Sequence, residues 1–292
     1  MRQIVWQQLE WKTTTISVQD WAREAVRTLD SSETPTLDVQ VLMAFGLNQK
    51  REWLVAHYTD ALPEDKVEYL NQLLSRLQTG EPLAYITGKR SFFGLDFKIT
   101  QDVLVPRPET ELLVEEAVTW LEANPTRRKM VDVGTGSGII AISLADRFAD
   151  LQVSGIDLSS AALQVARENA ALHGLSEQIH WLENDLLTGI EDHFDLITAN
   201  LPYIPSRTLQ TLSVLKHEPR LALDGGATGL DLIERLLNQA VKCIQPRGLI
   251  LLEIEASQGQ SAPELAKQVF PQAKIECLND YADLPRVVKI HF

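Results

Sequence analysis

From residue 129 to its end, the chain alternates short apolar segments with amphipathic segments of helical period. This alternation is typical of a parallel sheet whose strands are linked by helices. The last two predicted strands are joined by too few residues for the crossover that a parallel pair needs, so we expect them to be antiparallel. The sequence therefore predicts an α/β fold with a seven-stranded, mostly parallel, doubly wound sheet and an antiparallel last strand. The predicted strands are residues 130–133, 152–157, 179–183, 194–199, 249–254, 274–278 and 286–291.

The first of these strands runs directly into a glycine-rich turn, DVGTGSG at residues 132–138, which precedes a helix predicted over 139–148. Glycines let a ligand approach the backbone closely, and the N–H groups of a helix start favour a carboxylate or a phosphate. In a doubly wound sheet this turn lies at the ligand-binding edge. Alternatively, the glycines serve only the packing of the turn. The candidate cofactor contacts are Gly134, Thr135, Gly136, Ser137 and Gly138.

Aspartates follow the same pattern at the next two strands. Asp157 ends the second strand, where a carboxylate can accept both hydroxyls of a ribose. Asp185 follows the third, where it can accept from an adenine amino group with Leu186 beside the base. Each aspartate alternatively caps a helix or a turn. A nicotinamide dinucleotide satisfies the glycine turn and Asp157 equally well.

The fourth strand ends in Asn200, Leu201, Pro202 and Tyr203. The Asn200 side-chain carbonyl and the Leu201 main-chain carbonyl can accept both hydrogens of a planar NH₂ group, and Pro202 stiffens the turn. Tyr203 can stack on such a group. An ordinary strand exit also uses Asn and Pro, and the chemistry of this turn does not separate an amide from an adenine as substrate.

S-adenosylmethionine accounts for all four features together. Its carboxylate would meet the glycine turn, its ribose Asp157 and its adenine the region of Asp185, while its methyl group would face Asn200. Such a transfer needs little acid–base help, because the leaving group is a neutral thioether and positioning provides most of the catalysis. A nicotinamide cofactor gives no reason for the Asn-x-Pro-Tyr sequence.

In the N-terminal part of the chain, apolar residues recur at helical spacing rather than in the alternation of strands and helices. Helices are predicted over residues 17–30, 37–47, 51–58 and 64–78, and a β-hairpin over 92–99. We therefore expect a small helical bundle at 1–85, a hairpin linker at 86–107 and the catalytic domain at 108–292.

Composition narrows the function classes. The net charge of −13 provides no general basic field for nucleic acid. The two cysteines lie far apart, which indicates a reducing compartment. The six histidines do not have the spacing of metal ligands, so the sequence predicts no metal site. No segment reads as a membrane span or a signal peptide, so we expect a cytoplasmic protein.

The glycine turn, the acidic strand ends and the Asn-x-Pro-Tyr sequence together resemble class I amino-methyltransferases. Further blocks resemble the HemK/PrmC family of protein-(glutamine-N5) methyltransferases, which modify peptide chain release factors. These blocks are EPLAYITG at 81–88, PRPETE at 106–111, EPRLALDGG at 218–226 and RVV at 286–288. The resemblance implies the class I S-adenosylmethionine-dependent methyltransferase fold, preceded by a helical domain that helps to bind the release factor.

By this resemblance, the substrate is the glutamine of a Gly-Gly-Gln motif, held by Asn200 and the Leu201 carbonyl. Arg107 and Glu109 lie near the cleft in the family, although an ion pair that fixes the hairpin is an equal interpretation. The segment 218–226 either closes over the site or forms a rigid surface turn. We expect a monomer that does not bind nucleic acid directly.

The chain departs from the family pattern at two positions, since the family has a proline in place of Leu201 and usually an acidic residue near Thr228. Three alternatives stay open: a ribosomal-protein glutamine as substrate, a nucleic-acid adenine as in the similar rRNA adenine dimethyltransferases, and a release-factor-binding protein that has lost transfer.

Overall fold

A computed structural model describes residues 16–29 and 32–292. The chain divides into two compact units, with the boundary between Thr87 and Gly88. The sequence predicts the end of the bundle at 85 and a hairpin linker at 86–107. In the structure, residues 86 and 87 end a helix, and the hairpin is part of the second unit because the Asn169 side chain bonds both the N–H and the C=O of Lys98.

Among the described residues of the first unit, the regular elements are helices, and one isolated antiparallel bridge joins Ser17 and Ala61. Ser17 begins the first helix by accepting a hydrogen bond from the Asp20 N–H at 3.1 Å, and Pro63 precedes the fourth. Apolar residues spaced three and four apart, such as Val18, Trp21 and Ala25, form one buried cluster. The helices are α1 Val18–Arg27, α2 Pro35–Leu47, α3 Arg51–Ala56, α4 Glu64–Gln78 and α5 Leu83–Thr87. The first helix ends at Arg27, three residues before the predicted end at residue 30, which itself lies outside the described residues.

The second unit begins with a hairpin of β1 Lys89–Phe92 and β2 Leu95–Lys98. Its turn falls at Phe93 and Gly94, which both have positive φ, as a tight two-residue hairpin turn requires. The prediction of a hairpin over 92–99 is right in kind, but its first strand begins three residues earlier.

A doubly wound sheet follows. Its helices are α6 Glu111–Ala123, α7 Ile139–Arg147, α8 Ser160–Leu172, α9 Ser206–Leu209, α10 Asp231–Ala240 and α11 Ser261–Val269. Its strands are β3 Lys129–Val133, β4 Gln152–Asp157, β5 Ile179–Glu183, β6 Phe194–Ala199, β7 Ile244–Glu253, β8 Lys274–Asn279 and β9 Pro285–His291. The apolar faces of these strands and helices form the core.

The strand order is β5-β4-β3-β6-β7-β9-β8, and β9 is antiparallel to both β7 and β8. The seven strands and the antiparallel last strand are confirmed. Strand β7 starts five residues earlier than predicted, where Ile244 pairs with Phe194 before a register shift in β6. The chain runs outward in both directions from the β3–β6 pair, so the carboxyl ends of these two strands form the switch point of the sheet.

Candidate active site

The glycine turn and the Asn200 turn leave adjacent strands at the switch point. Val133 and Ala199, the last residues of β3 and β6, are paired in register. A cavity of about 610 Å³ opens at this edge, and its size is typical of a small-molecule site. The predicted site residues that line it are Gly134, Thr135, Gly136, Ser137, Asp157, Asp185, Leu186, Asn200, Leu201 and Pro202.

Two predicted site residues are not among the lining residues, Gly138 and Tyr203. Gly138 has φ of 83°, and a Cβ atom there would come within 3.0 Å of the Trp181 ring, so its glycine serves conformation and packing. Burial and the nearby Glu253 raise the pKa of Tyr203 to about 12. The stacking role of Tyr203 stays a prediction.

Backbone hydrogen bonds to β4 fix the conformation of the glycine turn. The N–H groups of Gly134 and Thr135 both donate to the Ile156 carbonyl, at 2.8 and 2.9 Å. Gly136 has φ of 56°, and a Cβ atom there would meet none of the described residues within 4 Å, so its glycine meets a backbone requirement. The turn therefore presents its backbone to the cavity.

Asp132 fixes the base of this turn. Its fully buried carboxylate accepts from the hydroxyls of Thr135 at 2.6 Å and Thr198 at 2.8 Å, which joins the turn to β6. Burial raises the pKa of Asp132 to about 6, although both hydroxyls oppose the shift. These bonds keep the two halves of the site in a fixed relation.

Asp157 is placed to bind ligand hydroxyls. Its Oδ2 accepts from the Gly136 N–H at 2.8 Å and its Oδ1 from the Ser159 N–H at 2.9 Å. Burial raises the pKa of this carboxyl, while the two backbone donors lower it. Each carboxylate oxygen keeps acceptor capacity for a second donor, so the group suits a ribose diol. The glycine turn, this carboxylate and the cavity volume together fit S-adenosylmethionine.

Asp185 has a partner that the sequence does not indicate. Its Oδ2 accepts from the Arg235 guanidinium at 2.5 Å, in a half-exposed ion pair at the cavity wall. The other oxygen is not used by this pair. Leu186 beside it adopts φ of 52°, is buried and lines the cavity, while its contact with an adenine base stays a prediction.

Asn200 is hydrogen-bonded to Thr110, which lines the same cavity. The Asn200 Nδ2 donates to the Thr110 Oγ1 at 3.1 Å, and Thr110 is completely buried at the end of a short 3-10 turn, Pro108–Thr110. The Leu201 side chain is buried in the core, where its Cδ2 would lie 2.8 Å from a Cβ on Gly134. Leu201 thus anchors the turn by packing against the glycine turn.

The turn after Leu201 is also held by two backbone-directed contacts. The Gln258 Nε2 donates to the carbonyls of Tyr203 and Gly229, each at 3.1 Å. Ile204 exchanges backbone hydrogen bonds with Leu223 and Gly225. The segment 218–226 is therefore paired to the turn as a fixed wall, which favours the rigid-turn interpretation.

Arg107 and Glu218 join two of the sequence blocks. The Arg107 Nη2 donates to the Glu218 Oε1 at 2.5 Å, and the Val105 N–H donates to the other carboxylate oxygen at 3.3 Å. The Glu218 side chain is only 2% exposed. The predicted ion pair of Arg107 is confirmed in kind, but its partner comes from the segment 218–226 rather than from Glu109.

Sequence reasoning assigns no role to Thr110, Glu253 or Gln258. Glu253 does carry a signal, because a carboxylate inside the apolar run 249–254 is costly to bury without a purpose. No local sequence pattern marks Thr110 or Gln258. Thr110 bonds Asn200, which lies 90 positions away, and Gln258 bonds Tyr203, which lies 55 positions away.

Comparison with protein families gives two matches. Residues 20–88 match the PrmC N-terminal domain, and residues 108–217 match the methyltransferase small domain. In the described part of the chain, no helix is long and apolar enough to cross a membrane.

Similar curated proteins are named release factor glutamine methyltransferase. One from Moorella thermoacetica is 39% identical over 90% of this chain and 94% of its own length. Another from Koribacter versatilis is 36% identical over 90% of this chain and 94% of its own length. One from Nitratidesulfovibrio vulgaris is 34% identical over 94% of this chain and 95% of its own length.

Solved structures of lower identity show the same fold. An S-adenosylmethionine-dependent methyltransferase from Agrobacterium tumefaciens is 16% identical, with a TM-score of 0.50 over 70% of this chain and 69% of its own. A 16S rRNA N2 G1207 methyltransferase from T. thermophilus was solved in complex with AdoMet and guanosine. It is 19% identical, with a TM-score of 0.50, and the match covers 70% of this chain and 49% of its own. The predicted class I methyltransferase fold is confirmed, and the chain belongs to the release factor glutamine methyltransferase family, whose methyl donor is S-adenosylmethionine.

Proposed function

We propose that this protein transfers a methyl group from S-adenosylmethionine to the side-chain amide nitrogen of the glutamine in the Gly-Gly-Gln motif of peptide chain release factors. One structural observation is the main support for this proposal. The glycine turn after β3 and the Asn200 turn after β6 line the same cavity from adjacent strands, which sets a methyl-donor site beside acceptors for an NH₂ group.

The chain's own residues suit each part of the donor. The turn at Gly134–Ser137 offers backbone to the amino-acid end, Asp157 accepts from the ribose hydroxyls, and Asp185 with Leu186 faces the base. When bound, S-adenosylmethionine supplies an electrophilic methyl group attached to a sulfonium sulfur.

The substrate amide needs help because its nitrogen lone pair is delocalised. The Asn200 Oδ1 and the Leu201 carbonyl oxygen accept its two N–H groups, hold the nitrogen toward the donor and stabilise the charge that develops as it pyramidalises. The nitrogen loses a proton after transfer, so no strong base is required. Positioning supplies most of the rate enhancement.

Recognition of the release factor needs surfaces beyond the residues that hold the methyl donor. Residues 20–88 match a domain found in this family, and we assign the helical unit to release-factor binding. Arg107 lines the cavity and is partly exposed, so it can also contact the substrate loop.

A methylation assay tests the proposal. The protein is incubated with labelled S-adenosylmethionine and, in separate reactions, a purified release factor, its Gln-to-Ala variant in the Gly-Gly-Gln motif, ribosomal proteins and naked rRNA. We expect label only on the unmodified release factor. Equal labelling of the Gln-to-Ala variant contradicts the assignment, and stronger labelling of rRNA supports an adenine substrate instead.

The proposal places the enzyme in the cytoplasm, where translation termination occurs. The two cysteines support a reducing compartment, since Cys243 and Cys277 are both free. A monomeric state and the absence of direct nucleic-acid binding stay predictions.

A further inference from the structure

Three polar groups from distant parts of the chain lie close together at the Asn200 turn. Thr110 ends the 3-10 turn before α6, Glu253 ends β7, and Asn200 follows β6. Thr110 is fully buried and Glu253 is 1% exposed. The Asn200 Nδ2 donates to the Thr110 Oγ1, while both Thr110 and Asn200 lower the pKa of Glu253 by hydrogen bonding. The Asn200–Thr110 hydrogen bond of 3.1 Å therefore lies beside a buried carboxyl at one end and the cavity at the other.

The Asn200 side chain has two chemically different ends. Its Oδ1 accepts a hydrogen bond from an N–H group, whereas its Nδ2 only donates. The two ends have nearly the same shape, so packing alone does not decide which one faces the cavity. The proposed reaction needs the oxygen there, because the substrate nitrogen presents hydrogens.

We propose that Thr110 and Glu253 are positioning residues that turn the Asn200 side-chain amide so that its oxygen faces the substrate. This inference rests on the proposed role of Asn200 as an acceptor for the substrate amide. Thr110 also lines the cavity, whereas Glu253 is not among the lining residues, and the proposed role of both is to position Asn200.

The direction of the hydrogen bonds follows from the charge on Glu253. An ionised carboxylate only accepts, so in the proposed arrangement the Thr110 hydroxyl, which lowers the pKa of Glu253, directs its proton toward that carboxylate. The Thr110 oxygen is then left as an acceptor, and it must face the Nδ2 of Asn200. The Asn200 Oδ1 consequently points away from Thr110, toward the cavity that Asn200 lines.

Protonation of Glu253 reverses the direction of these hydrogen bonds. A neutral carboxyl can donate to the Thr110 oxygen, which frees the Thr110 proton to bond the Asn200 oxygen and turns the Nδ2 toward the cavity. That end cannot accept an N–H from the substrate. The Glu253 Oε2 has no hydrogen-bond partner among the described residues, so no donor stabilises the ionised form at this oxygen.

The surroundings of Glu253 set where this change occurs. Burial raises its pKa to about 7; Arg286 of β9 opposes the rise, and Glu109 adds to it. Tyr203 is a further titratable group near it, and burial keeps that phenol neutral across the relevant range. Turnover should therefore rise as pH increases through about 7.

The first experiment separates orientation from packing at Thr110. Thr110→Val keeps the shape and removes the hydroxyl, whereas Thr110→Ser keeps the hydroxyl. We expect Thr110→Val to lower kcat about tenfold or more with cofactor Kd and release-factor KM changed less than about threefold, and Thr110→Ser to restore most of kcat. Thr119→Val, which removes an exposed hydroxyl of α6 bonded to the Glu115 carbonyl, is the matched control. Equal kcat values for Thr110→Val and Thr110→Ser overturn the inference.

The second experiment uses the pH profile of Glu253→Gln, measured as kcat on a release factor between about pH 6 and about pH 8. Glutamine keeps an acceptor oxygen but does not titrate, so the rise through pH 7 seen in the parent should disappear. A Glu253→Gln profile that keeps the rise overturns the inference while leaving the proposed function intact. Full turnover by Asn200→Ala, by contrast, removes the proposed role of Asn200 and the inference together.

Discussion

The side-chain amide of Gln258 donates a hydrogen bond to the carbonyl oxygen of Tyr203 at 3.1 Å, across 55 residues of sequence. The same nitrogen donates to Gly229, and the Gln258 Oε1 accepts from the Glu255 N–H at 3.1 Å. Because Gln258 is 6% exposed, water cannot easily replace these bonds. One side chain thus holds the end of the Asn200 turn in place.

Gln258→Ala should loosen this turn. Loss of three buried hydrogen bonds costs about 3 kcal/mol of unfolding free energy, and kcat should fall while cofactor affinity is largely kept. Chemical denaturation and steady-state kinetics measure the two effects. Gln260→Ala, which removes an exposed amide bonded to Glu264, is the control. A Gln258→Ala protein with parental kcat shows that the turn needs no such support.

Asn200→Ala should abolish methyl transfer, because the substrate amide loses a positioned acceptor. The methyl donor contacts mainly other residues, so its Kd should change by less than about tenfold, or about 1.4 kcal/mol. Calorimetry with S-adenosylmethionine and single-turnover transfer give the two numbers. Asn238→Ala on α10, which removes an exposed amide that donates to the Glu234 carbonyl, should match the parent in both.

Asp157→Asn should weaken cofactor binding with little loss of turnover at saturation. The amide end of asparagine cannot accept hydrogen bonds, so one ribose or backbone contact is lost, which costs about 2 kcal/mol and raises Kd about 30-fold. Asp150→Asn removes the same charge from an exposed position. If both variants bind S-adenosylmethionine like the parent, Asp157 does not hold the ribose.

Glu218→Gln should destabilise the wall of the cavity. The buried Glu218 loses its charge-assisted bond to Arg107, but Arg107 is partly exposed, so the cost is limited to about 1 to 2 kcal/mol. A double-mutant cycle with Arg107→Ala isolates the pair, and exposed Glu234→Gln is the control. Additive single effects indicate that the two side chains do not interact in solution.

Glu253→Gln should change how stability depends on pH. The folded-state pKa of Glu253 is raised from near 4.5 to about 7, so the folded protein binds the proton more tightly and loses stability as pH rises across that window. The variant lacks this loss, and its advantage over the parent should grow by about 3 kcal/mol between pH 4.5 and pH 8. Asp132 also titrates from a raised pKa, but it does so in both proteins and cancels in the difference. Parallel curves from denaturation at several pH values rule out the raised pKa.

Local patterns predict most of the fold. The apolar periods locate all seven strands, and the DVGTGSG turn and the strand ends locate most of the cavity lining. The short connection after β8 indicates an antiparallel pair. The insertion of β9 between β7 and β8 cannot be read from it, because a hairpin does not specify which of its strands meets the rest of the sheet.

Contacts distant in sequence account for what local patterns miss. Arg107 is expected near the cleft, but nothing local connects it with Glu218, which lies 111 residues away. Gly138 belongs to the predicted motif by spacing, yet the Trp181 ring that closes over it comes from β5. Such partners follow from the assembled sheet rather than from any short pattern.

The most direct test of the account is the position of the transferred methyl group. A purified release factor is treated with the protein and S-adenosylmethionine, and its Gly-Gly-Gln peptide is sequenced by tandem mass spectrometry. We expect one added methyl group on the side-chain amide of that glutamine, and none after treatment with Asn200→Ala. A methyl group on any other residue, or an unmodified peptide from a protein that binds S-adenosylmethionine, contradicts it.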